Sequence, residues 1–131
     1  MNVVLWVLQV VLGVYFVAVG VIHFTLPQGL PPMMAWMYEL PAPAHYLSGS
    51  AEILGGLGLI LPGLFRVRPQ LTPLAAIGLA SVMVLATIWH ITRGEPANVI
   101  SNLVLAGLVA LIAYGRRGAL RRRPSAARAG G

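Results

Sequence analysis

Residues 46–64 read YLSGSAEILGGLGLILPGL, and Glu52 is the only charged side chain among them. A stretch this long and apolar is read as a membrane-crossing helix, because a span takes roughly 20 mainly apolar residues. A carboxylate inside it costs about 2.5–3.5 kcal/mol on insertion scales, so such a group is normally paired, turned inward and functional. Three further apolar runs surround this one: Asn2–Leu26, Leu71–Thr92 and Val99–Tyr114. The last is short, and spans with little tilt or with its ends snorkelling. The sequence therefore predicts an all-α, integral membrane four-helix bundle over residues 1–117. Residues 118–131 follow as an Arg-rich flexible cytoplasmic tail.

Composition excludes several classes of function. With 58% hydrophobic and 9% charged residues, the chain is too apolar for a soluble domain of its size. It has no cysteine, which removes thiol redox chemistry, disulfides and Cys-ligated metals. All nine basic residues are arginine, a bias that hints at a GC-rich bacterial source. The formal net charge of +6 does not point to nucleic acid, because its distribution follows the membrane. Arg116, Arg117, Arg121, Arg122, Arg123 and Arg128 follow the last run, and Arg66 and Arg68 lie between the second and third. The positive-inside rule puts both groups in the cytoplasm, and four spans then put both termini there. The tail reads as a topology and anionic-lipid anchor. The first run has no basic residue before it and no small-x-small cleavage site after it, so it is expected to stay as the first helix.

Between the first two runs, prolines bracket an apolar, aromatic piece, Met33–Leu40, too short to span. It reads as a short helix or re-entrant turn on the outer surface, or as a lid over a pocket. In RGEPAN, Gly94 allows unusual backbone angles and Pro96 suits the opening of a helix.

This topology gathers the polar groups. His23 ends the first helix, Glu52 lies in the outer half of the second, His90 and Arg93 end the third, and Asn98 and Asn102 open the fourth. All fall in one leaflet, while the other holds little beyond Gln9. Ser48, Glu52, Gly55 and Gly56 share one helical face, as do Met83, Ala86, Thr87 and His90. If the faces converge, Glu52 meets His90, His23, Asn102 or Arg93 in one pocket, with His90 or Arg93 expected as its partner. Each member also has a plainer reading. His23 and His90 suit an interfacial ring belt, Asn98 suits a cap, and Arg93 suits a turn pair with Glu95. The candidate donors lie on separate helices without a short-range motif, so no metal site is expected. The residues for hydrolysis or phosphoryl transfer are also missing.

The sequence resembles the DoxX-like family of small four-helix bacterial membrane proteins. The resemblance rests on Gly20 and the VIHF stretch, on Gly49–Pro62 (GSAEILGGLGLILP), on His90–Pro96 (HITRGEP), and on Asn102 with an arginine after the fourth helix. It covers Asn2 to about Arg117. It implies a bundle in the bacterial inner membrane, and for some relatives a link to quinone-dependent oxidoreductases or oxidative-stress complexes. Many relatives have a lysine near the position of His23, and this chain departs from them there.

The preferred expectation is an accessory subunit whose outer-leaflet pocket, built from Glu52, His90, His23, Arg93 and Asn102, takes a quinone or other apolar ligand. The alternatives are a small proton-coupled transporter and a purely structural assembly partner. The expected partners are the lipid bilayer and a membrane protein or second copy of the chain, not nucleic acid. The residues name no reaction.

Overall fold

The computed structural model describes residues 2–121. Asn2 begins the first helix: its Oδ1 accepts from the amides of Val4 at 2.9 Å and Leu5 at 3.4 Å, filling two of the free donors of a helix start. Helix α1 (Val3–Thr25) ends at Leu26, whose left-handed backbone turns the chain into Pro27. A 3-10 segment (Pro32–Glu39) follows, then α2 (Ala42–Phe65), α3 (Leu71–Thr92), α4 (Pro96–Gly115) and a last 3-10 turn (Arg117–Arg121). All four α-helices are long and apolar enough to cross a membrane. Of the tail expected over residues 118–131, residues 118–121 belong to this last 3-10 turn, and the rest lies outside the described residues.

Two helix starts precede their apolar runs for the same reason. Proline suits the first helical positions, where an N–H would have no acceptor in any case. Pro43 and Pro96 therefore extend α2 back to Ala42 and α4 back to Pro96. The earlier start of α2 moves His45 from the connection into the helix. Gly94 does take a positive φ of 67°, closing the α3–α4 turn.

Helices α1 and α2 pack backbone to backbone. Gly13 faces Gly56 and Gly20 faces Gly49, two pairs one heptad apart along an antiparallel seam. A Cβ on Gly56 would stand 2.6 Å from the Gly13 carbonyl oxygen, and one on Gly20 would stand 2.8 Å from that of Gly49. Such contact suits a bilayer, where dispersion rather than hydrophobic burial holds helices together. Gly55, on the adjoining face of α2, instead accommodates Leu79 of α3.

The buried core joins Leu12 and Phe16 of α1, Leu59 of α2, Leu79 and Met83 of α3, and Val109 and Ile112 of α4. Helix α4 packs mainly on α3 and leaves most of its surface exposed. The bundle end nearest the arginines repairs its own backbone. Pro62 has no N–H to give the Gly58 carbonyl, and the Thr72 hydroxyl donates to that oxygen instead, at 3.2 Å. Buried Gln9 donates from Nε2 to the Leu59 carbonyl at 2.8 Å, and its Oε1 accepts from Arg116 Nε at 2.7 Å.

Candidate functional site

The glycine seam sets the heights of the two residues that matter most. Antiparallel pairing of Gly20 with Gly49 leaves His23 and Glu52 offset by six residues along the axis, about 9 Å. Side chains on a helix tilt toward its own N-terminus. His23 therefore leans down α1 while Glu52 leans up α2, and the two close that gap. His23 Nε2 lies 3.2 Å from Glu52 Oε2, with both side chains buried. That separation is within ion-pair reach but off the line of a hydrogen bond, so Oε2 has no aligned donor among the described residues.

The other side of His23 continues the chain of contacts. Its Nδ1 is 2.8 Å from Nδ1 of His45, and His45 Nε2 is 2.8 Å from the Met37 carbonyl of the 3-10 segment. A carbonyl only accepts, so His45 Nε2 carries a hydrogen. If His45 is neutral, its Nδ1 is bare and His23 Nδ1–H donates to it. One further proton then belongs between His23 Nε2 and Glu52 Oε2. If His45 is instead cationic, its Nδ1–H donates to His23, and His23 Nε2–H faces the carboxylate. These arrangements hold the same number of protons, leave the trio neutral, and differ by one proton's position across the His23–His45 hydrogen bond. Without that proton, a bare nitrogen would confront a bare carboxylate in a buried site. The three donors stand in line rather than around one centre, and His23 uses both its nitrogens within the row.

Above Glu52 lies a cavity of about 410 Å³ between α2, α3 and the 3-10 segment. Trp36, Leu47, Leu85 and Trp89 supply apolar wall, while His23, Ser48, Glu52 and His90 supply polar side chains. Trp36 meets the His90 ring edge-on at 4.8 Å between centroids and lies 6.0 Å from that of His23. The 3-10 segment is held down by fully buried Met37 and by the Tyr38 hydroxyl, which donates to the Pro27 carbonyl at 2.6 Å.

The expected site residues divide into three groups. His23 and Glu52 form a direct pair. His90 lines the same cavity, but its Nδ1 goes to Glu95 Oε1 at 3.1 Å rather than to Glu52. Asn102 meets Glu52 only across a small second cavity of about 50 Å³, shared with Tyr15 and Met83. Arg93 stays outside: it bonds Glu95 at 2.8 Å, pairs with Glu39 of the 3-10 segment, and lies 4.6 Å over the Trp89 ring. The expected pairing of Glu52 with His90 or Arg93 is thus corrected to His23, because the tilt of α1 side chains reaches the acid and the end of α3 is tied to Glu95. His45 and Trp36 are additions. The i, i+7 spacing of His45 and Glu52 places both on one face of α2, a signal hidden by starting the helix at Tyr46.

Arg93 and Glu95 act as a clasp between the α3–α4 turn and the 3-10 segment. Partial burial opposes ionisation of Glu95, but the hydrogen bonds from His90 and Arg93 outweigh it and hold the carboxyl below its ordinary 4.5. A group depressed in the folded state stabilises fully above its unfolded value and loses that contribution as pH falls through the folded one. The clasp is therefore expected to loosen only under acid, below pH 4.5. An acid titration of tryptophan fluorescence, reporting Trp36 and Trp89, should show a transition there that Glu95→Gln removes.

The model of the DoxX-like family matches residues 7–112 of this sequence. The chain belongs to the DoxX-like family. With its four apolar helices, it is a multi-pass membrane protein. The match spans the whole row from His23 to Glu52, together with His90, Arg93 and Asn102, and stops short of Arg116. No curated protein and no solved structure matches the chain.

Proposed function

We propose that this DoxX-like protein is an accessory subunit of a bacterial inner membrane, with both termini cytoplasmic. Its outer-leaflet cavity takes an apolar ligand bearing a hydroxyl or carbonyl ring, with a quinone-type headgroup as the best chemical fit. The carrying observation is Glu52: a buried carboxylate whose Oε2 has no aligned donor, at the edge of a largely apolar cavity of about 410 Å³. Binding sites of this kind join apolar walls to a few convergent polar groups. A phenolic hydroxyl would donate to the Glu52 carboxylate, a ring carbonyl would accept from the Glu52 carboxyl when the row's proton sits there, and Trp36 and Trp89 would flank the ring. The His23–His45 row would then take up or return a proton as the ligand's protonation changes.

The test uses purified protein in nanodiscs with a short-chain ubiquinone analogue, read by quenching of tryptophan fluorescence and by native mass spectrometry. Saturable binding by the wild type, weakened about tenfold in Glu52→Gln, is the expected result, the scale of one hydrogen bond to a charged group. Equal, unsaturable uptake by both proteins would overturn the reading.

The hydrogen-bonded row also favours a second reading, proton-coupled transport. Liposomes with an imposed pH gradient would then show a flux that Glu52→Gln abolishes.

A further inference from the structure

At the opposite end of the bundle, α1, α4 and the α2–α3 turn enclose a cavity of about 370 Å³, lined by Trp6, Gln9, Pro69, Thr72, Gly115 and Arg116. Arg116 is held there by a built support. Gln9, 2% exposed, is anchored through Nε2 to the Leu59 carbonyl and offers its other atom to Arg116 Nε. One guanidinium edge is thereby fixed. Among the described residues, its other hydrogen bond is a long one, from Nη2 to the Asn2 carbonyl at 3.5 Å. The sequence contains three acidic side chains, Glu39, Glu52 and Glu95, and all belong to the histidine end. Arg116 thus lacks a carboxylate side chain to pair with, while partial burial disfavours its charge. Arg117 is occupied differently: its Nη1 donates to the Tyr114 carbonyl at 2.6 Å, and it stacks 3.8 Å from the Tyr114 ring.

We propose that this cavity is an anion site, in which Arg116, positioned by Gln9, binds the phosphodiester of an acidic phospholipid headgroup. A guanidinium with a free edge matches phosphate oxygens by paired hydrogen bonds. Thr72 lines the same space with its hydroxyl hydrogen given to the Gly58 carbonyl, and the Trp6 ring suits headgroup depth. Basic pockets between spanning helices hold lipid headgroups by this chemistry.

The experiment is native mass spectrometry and thermal melting of the full chain in detergent, titrated with phosphatidylglycerol, with phosphatidylcholine, or with inorganic phosphate. The wild type is expected to retain phosphatidylglycerol about tenfold over phosphatidylcholine, the scale of one charge-assisted hydrogen bond. Arg116→Gln should erase that preference, whereas Arg121→Gln, on the exposed last turn, should keep it. If inorganic phosphate alone stabilises the wild type and displaces phosphatidylglycerol, the anion site stands and its natural source is free phosphate. Equal retention of the two lipids by the wild type would overturn the proposal, as would an unchanged preference in Arg116→Gln. Should Arg116→Gln fail to fold, the wild-type melts decide: a higher midpoint with phosphatidylglycerol alone supports the site, and identical midpoints sink it.

Discussion

Replacing His23 with leucine is expected to destabilise the bundle by about 3–5 kcal/mol, the usual cost of removing one partner from a buried charge pair. The substitution leaves Glu52, only 4% exposed, facing hydrocarbon, and deprives His45 Nδ1 of its 2.8 Å partner. Glu52→Gln alone should be mild, because the amide can donate to a neutral His23. In the His23→Leu background, the same change should recover most of the lost stability, since the uncompensated carboxylate is then gone. Thermal midpoints of the two single variants and the double variant in one detergent form the cycle. Additive losses would mean that the two side chains do not interact, and the proton row would fail with them.

Gly56→Val should also have a large effect, through a different cause. A Cβ at this position would meet the Gly13 carbonyl oxygen at 2.6 Å and the Val17 amide nitrogen at 3.0 Å, both backbone atoms of the neighbouring helix. Side-chain repacking cannot relieve such contacts. The helices must separate, at a cost of about 1–3 kcal/mol or more. Glu52 lies one helical turn away, so separation also pulls it from His23. The variant is expected to lose monodispersity in size-exclusion chromatography together with analogue binding. Gly78→Val is the matched control, because nothing among the described residues lies within 4 Å of a Cβ there. If both variants behave alike, helix propensity rather than close approach explains the glycines.

The contrast between these two sites shows what a single sequence makes legible. Four spans could be read from apolar runs alone, because hydrocarbon demands length and little else. The gathering of polar residues at one end also followed from counting along antiparallel spans. Partner choice did not follow. Periodicity gives the faces of each helix but not the axial offset between helices, and that offset decides that His23 rather than His90 meets Glu52. It is set by Gly13–Gly56 and Gly20–Gly49, pairings between helices that no spacing within one helix announces. His45 was hidden by the prolines before it, which read as a loop although Pro43 belongs to the first turn of α2. Trp36 stands far from Glu52 in sequence and reaches the cavity only because Met37, Tyr38 and Glu39 fasten the 3-10 segment in place.

The backbone-to-backbone seam fixes the side of the cavity that carries His23 and Glu52 and leaves the opposite side adjustable. No side chains separate α1 from α2 at the glycine pairs, so substitutions there have little freedom to reshape the chamber. Val82, Leu85, Ala86 and Trp89 of α3 line the facing wall and bear no such restriction. A change of guest molecule would therefore be written on the third span, while the acid and its imidazole neighbours kept their stations.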